Sequence, residues 1–139
     1  MPGVKAYLTD ASHFRGEAER VVLPSSEEEV CALLREAQRA RAPVTIAGAG
    51  TGLTGSRVPQ GGTVLSTEKL NRILQVYKNP ATSPSGGLAR LQPAVTLKQL
   101  EEAAQADCLF YPPDPGEKAA GVTSVCVPEM LSLPNVAVA

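Results

Sequence analysis

Tryptophan is absent, and three tyrosines and two phenylalanines make up the aromatic content of the 139 residues. The 13 Lys and Arg are scattered, not striped, and 14 Asp and Glu bring the net charge to −1. Nucleic-acid binding needs a basic face and, for single strands, aromatic platforms, so this composition argues against it. Cys31, Cys108 and Cys126 are odd in number and widely spaced. That fits neither a disulfide framework nor a zinc site, and no metal site is expected. Cys31 falls in an apolar helical stretch and reads as a small core residue, not a nucleophile. Such cysteine usage suggests a reducing compartment, the cytoplasm. No apolar run approaches ~18 residues, and the start, MPGVKAYLTDASHF, lacks the basic-then-apolar design of a secretion signal. The chain therefore reads as soluble, without a transmembrane segment.

The chain does have enough apolar residues for one ordinary core, 43% of the total. Residues 1–20 are a polar lead-in, partly helical. The run 21-VVLP-24 is a short strand closed by proline. Over 25-SSEEEVCALLREAQRARAP-43 the spacing predicts a helix. Ser26 and Glu29 form a capping-box pair, and Val30, Leu33, Leu34 and Ala37 share one face. Glutamates open this helix, arginines close it and Pro43 stops it. Val44 to Ala47 is a strand, completing a βαβ pattern. Further strands are expected at 63-TVLS-66, at 73-ILQVY-77 after a short helical turn, and at 88-LARLQP-93. The last two should pair as a hairpin across the Pro-, Ser- and Gly-rich stretch 78–87. A second helix starts at Thr96, boxed with Gln99, and buries Leu97, Leu100, Ala103 and Ala104. The run 108-CLFY-111 reads as a strand and 112-PPDPGEK-118 as a rigid turn.

The most telling stretch is 44-VTIAGAGTGLTGSRVP-59, a strand running into Gly48, Gly50, Gly52 and Gly55. A Walker-type phosphate loop would need a lysine after the last glycine, but Ser56 and Arg57 stand there. Gly50, Gly52 and Gly55 spell GxGxxG, yet a Rossmann fingerprint must open a helix, and Pro59, Gly61 and Gly62 cannot continue one. A non-helical nest of backbone N–H groups accepts every residue present. It holds a pyrophosphate without lysine, with Thr51 and Thr54 adding hydroxyl donors. A plain glycine-rich connection between strands is the remaining reading.

The run from Val22 to Pro59 resembles the start of the FAD-binding (PCMH-type) domain of the vanillyl-alcohol oxidase/p-cresol methylhydroxylase family, in its glycolate oxidase and D-lactate dehydrogenase branch. The stretches 64-VLSTEKLNRILQV-76, 90-RLQPAVTLKQLEEA-103 and 109-LFYPPDPGEK-118 are similar to later segments of that domain, in the same order. The resemblance implies an α+β fold: the first subdomain of a PCMH-type FAD-binding domain, with a small mixed sheet, two main helices and an incomplete second subdomain. Residues 21–118 would be this partial domain, and 119–139 a divergent apolar tail. It implies FAD as cofactor, its pyrophosphate held by Gly48, Ala49, Gly50, Thr51, Gly52, Leu53, Thr54 and Gly55. The family's PPDP turn lies close to the cofactor, which adds Pro113 and Asp114, with Pro115. Asp114 also has the bland reading of an Asx turn or cap.

Three positions depart from the family pattern. Ile46-Ala47 stand where Pro-Arg is usual, Ser56 where a second glycine is common, and Ala94 in place of the glycine of "QPGV". The implied reaction is oxidation of a small 2-hydroxy acid, with hydride passing to flavin N5. This chain would supply cofactor placement and no catalytic residue of its own. His13 reads as solvent-exposed rather than as a base or a flavin attachment point. A complementary subunit or a C-terminal portion would then provide the rest. The second reading is a truncated, non-catalytic chain that binds no FAD tightly on its own.

Overall fold

A computed structural model describes residues 4–78, 86–111 and 135–138. The chain divides into two compact units, at Leu70/Asn71.

The first unit carries a parallel sheet of β1 (Arg20–Val22), β2 (Val44–Ala47) and β3 (Thr63–Ser66). The helix α1 (Glu27–Ala40) joins β1 to β2, as the strand–helix–strand pattern predicts. The two strands are not neighbours, however, because β3 lies between them, with Val64 level with both Val21 and Thr45. All four β3 residues are buried, whereas β1 and β2 stay partly open, as expected of a central and two outer strands. Val64 and Ala47 pack with Tyr7, flanked by Ala18 and Val21. Arg20 donates from Nε to Thr63 Oγ1 (3.0 Å) and from Nη2 to Glu36 of α1 (2.8 Å).

Ser26 caps α1, its Oγ accepting the Glu29 N–H at 3.2 Å. The reciprocal arm of the expected box lands one residue early, with Glu29 Oε2 accepting the N–H of Ser25 at 2.7 Å. The helix ends before Pro43. Arg41 turns left-handed at φ 51°, its N–H reaching Gln38 O, while the N–H of Ala42 reaches Ala37 O. These are the two bonds of a Schellman motif. The buried stripe is narrower than expected: Leu33 and Ala37 are enclosed, while Leu34 is exposed. Cys31 is exposed as well, which corrects the core assignment. It stands two residues from Leu33, about 200° round the helix and so on the far side.

In the second unit β4 (Ile73–Lys78) and β5 (Gly86–Leu91) form the expected antiparallel hairpin, with a register irregularity between Ile73 and Gln75. A further strand, β6 (Asn135–Val138), runs parallel to β5 on its other side. The helix α2 (Leu97–Ala106) begins with the complete Thr96–Gln99 capping box. Leu97, Leu100 and Ala104 face a core shared with Ala89, Leu109 and Tyr111. No strand forms at 108–111. The N–H of Cys108 goes to Gln105 O and that of Leu109 to Ala104 O, a second Schellman motif, with Cys108 left-handed at φ 54°. Leu109 and Tyr111 both point inward, which is why the segment looks strand-like in sequence. The chain thus adopts the expected α+β class with two main helices, its strands divided between one all-parallel and one mixed three-stranded sheet.

Candidate cofactor-binding loop

The glycine run leaves the C-terminal end of β2 and returns to the start of β3 through residues 48–62. Loops at the carboxyl ends of parallel strands are where open α/β sheets take ligands. No helix occurs anywhere in this connection; its one tight turn is closed by the Val58 N–H on Gly55 O at 3.0 Å. The Rossmann reading, which needs a helix N-terminus after the third glycine, does not apply.

Gly48, Ala49 and Thr51 to Thr54 are exposed, and Leu53 is 77% accessible. Among the described residues, no protein acceptor takes the backbone N–H of any residue from Gly48 to Thr54. A run of free amides at the surface is the donor set that a pyrophosphate needs. Gly50 and Gly55 adopt φ 80° and 75°, a region that a side chain disfavours. Gly52 does not. A Cβ there would meet only Ser56 Oγ at 3.9 Å and Asp10 Oδ2 at 4.0 Å, which is ordinary contact. Nothing among the described residues requires glycine at 52, so its want of a side chain suits an approach from outside the chain. Loop conformation, free amides and the neighbouring Thr51 and Thr54 hydroxyls fit the pyrophosphate of a dinucleotide.

The N-terminal stretch, read from sequence only as a polar lead-in, lies against this loop. Tyr7 is buried, and its hydroxyl donates to Glu68 Oε2 at 3.1 Å. Burial pushes its pKa up, and Glu68 adds to that shift. Asp10 forms an Asx turn, its Oδ1 accepting the N–H of Ser12 at 2.9 Å and the Ser12 hydroxyl. The Ser12 hydroxyl is the main cause holding the Asp10 carboxyl below its usual range, and the charge of Arg57 acts in the same direction. Ala11 donates its N–H to Gly50 O at 3.0 Å. Arg57, noticed in sequence only as the wrong residue for a Walker lysine, lies 5.7 Å from the centre of the Tyr7 ring, in cation–π range. The D-x-S pattern at 10–12 was the one local sign that this stretch is ordered. His13 is exposed, as expected. Pro113, Asp114 and Pro115 lie outside the described residues. No cluster of three or more His, Cys, Asp or Glu able to hold a metal occurs among the described residues, and no described helix is long and apolar enough to cross a membrane.

Fold and loop together suit a dinucleotide-binding module, and residues 18–126 match the FAD binding domain family. The chain belongs to that family, whose cofactor is FAD. It is 43% identical to a D-lactate dehydrogenase of Archaeoglobus fulgidus over 103 residues, 73% of this chain and 22% of the relative. It is 36% identical to the glycolate oxidase subunit GlcD of Escherichia coli K12 over 131 residues, 86% of this chain and 25% of the relative. A Mycobacterium tuberculosis protein described as an uncharacterized FAD-linked oxidoreductase is 35% identical over 100 residues. The chain thus spans about a quarter or less of the length of these curated relatives.

Proposed function

We infer that residues Gly48 to Gly55 hold the FAD pyrophosphate, through backbone N–H groups aided by the Thr51 and Thr54 hydroxyls. The carrying observation is the helix-free loop whose amides from Gly48 to Thr54 find no acceptor among the described residues. Pro113 and Asp114 are further candidates beside the cofactor, on the family resemblance. Bound flavin supplies the electron chemistry. The chain's own residues bind its phosphates and fix its position. The parent reaction on this reading is oxidation of a small 2-hydroxy acid of the glycolate or D-lactate type, as the names of the relatives suggest. The substrate-binding part comes from a complementary subunit or from a C-terminal portion, and the assembly works in the cytoplasm.

The test is an FAD titration of the purified chain, followed by flavin fluorescence quenching. Saturable one-to-one binding supports the loop as a sufficient anchor. A folded chain that leaves the flavin signal unchanged favours the second reading, in which the chain alone is non-catalytic and holds no FAD. That reading is favoured by the openness of the loop itself, which presents one wall of a site from the first unit.

A further inference from the structure

A buried carboxylate and a half-buried guanidinium sit beside the glycine loop, each with one enclosed atom left unpaired. Asp10 is only 9% exposed. Its Oδ2 is sealed from solvent and meets no partner at full hydrogen-bond geometry, while the Arg57 backbone N–H is near enough to the carboxylate to help lower its pKa. The Nε of Arg57 is likewise enclosed without a partner. Burying such atoms unsatisfied is costly. Both residues lie beside the loop. Next to Asp10, the N–H of Ala11 fastens Gly50 O, and Oδ2 faces the place where a Gly52 side chain would begin. Arg57 donates from Nη2 to Ala6 O at 3.0 Å, and its guanidinium lies so close to Gly50 that a Cβ there would collide with Nη1. One acid from the N-terminal stretch and one base from just past the loop thus bracket Gly50 and Gly52.

We propose that Asp10 and Arg57 form a polar lock beside the glycine loop, and that this lock, not the glycines alone, keeps the loop in its anion-receiving shape. Its purpose rests on the pyrophosphate reading above; its existence does not. Arg57 has a second effect, since it offsets a carboxylate that would otherwise oppose a phosphate nearby. Asp10 and Arg57 are therefore positioning residues.

The experiment compares the wild-type chain with Asp10→Asn, Arg57→Met and Arg57→Lys. Amide hydrogen exchange is read without nucleotide at Ala11 and Val58, whose N–H groups are bonded to Gly50 O and Gly55 O. Exchange along α1 and β3 reports global stability. Asp10→Asn and Arg57→Met should speed exchange at Ala11 and Val58 roughly tenfold or more, with α1 and β3 unchanged. Arg57→Lys, which keeps the charge but not the fork, should fall between. FAD titration of the same proteins gives the second readout. Removing a negative charge near a phosphate site by itself tightens binding, so weaker FAD binding by Asp10→Asn is a result that only the lock explains. Unchanged protection at Ala11 and Val58, protection lost equally along α1 and β3, or FAD binding by Asp10→Asn as tight as wild type each overturns the proposal. A wild-type chain that binds no FAD, with the local loss of protection still seen, upholds the lock and removes the pyrophosphate reading.

Discussion

The connection from β2 to β3 has two halves built from the same kinds of residue and put to opposite uses. From Gly48 to Thr54 the backbone is exposed and its N–H groups are free of described acceptors. From Val58 to Thr63 the chain is stitched down. Val58, Pro59 and Gly62 are buried, Gly61 donates to Glu17 O at 2.7 Å, Thr63 to Pro43 O at 3.0 Å, and Pro59 O accepts from Glu17 at 3.0 Å. Both halves are glycine-rich, and composition does not separate them. What separates Gly62 from Gly52 is where a side chain would go. A Cβ on Gly62 would collide with the Pro43 carbonyl, a backbone atom that cannot move aside; on Gly52 it would find only ordinary contacts. Gly62 is glycine because the fold closes on it; Gly52 is under no such constraint, and on the pyrophosphate reading its missing side chain leaves room for an approach from outside.

Substitution breaks this comparison directly. Gly62→Ala has the largest expected effect. It combines a left-handed φ of 66° with the backbone collision. Together these should lower the unfolding free energy by about 3 kcal/mol, read by urea denaturation of the chain. A loss below about 0.5 kcal/mol would mean that the return leg is as loose as the loop, and the contrast would collapse. Gly52→Ala should do the reverse. Stability should stay within about 0.5 kcal/mol of wild type, while FAD affinity falls roughly tenfold or more through a methyl group intruding on a close approach. Undiminished FAD binding by Gly52→Ala would move the contact away from that glycine.

The same contrast explains what the sequence made legible. Both helices, their N-caps and the β4–β5 hairpin rest on local signals, namely apolar spacing, capping residues and a turn-rich break, so they could be read in advance. The place of β3 between β1 and β2 could not, because parallel pairing joins segments far apart in the chain and leaves no mark on either. At 108–111 the alternation of Leu109 and Tyr111 had the period of a strand. The helix-ending hydrogen bonds already occupy the N–H groups of Cys108 and Leu109, and a ladder needs them free. The glycine loop was visible as a motif. The residues beside it were not, since Tyr7 and Asp10 sit in a polar stretch whose one local pattern, D-x-S, marks a turn and not a site, and they become part of the site only when Ala11 meets Gly50.

Left-handed backbone also occurs where no ligand is involved, and this gives the smallest effect and the finest control. Arg41 and Cys108 each hold the left-handed position of a Schellman motif, at φ 51° and 54°, where glycine is the common occupant. A side chain there costs roughly 1–2 kcal/mol, and glycine gives back about 0.4–1 kcal/mol through the freer unfolded chain. Arg41→Gly should therefore stabilise the protein by about 0.5 kcal/mol, with no change in FAD binding. The Arg41 side chain makes no hydrogen bond or ion pair among the described residues, so only its charge at the C-terminal end of α1 is lost with it. The measurement is the urea midpoint, alongside the FAD titration used for Gly52→Ala. A gain in stability with unchanged affinity would show that positive φ at a helix end is a closure device, separable from positive φ at Gly50 in the loop. Altered FAD binding by Arg41→Gly would instead mean that the end of α1 and the loop move together, and the two halves of the β2–β3 connection could no longer be treated as independent.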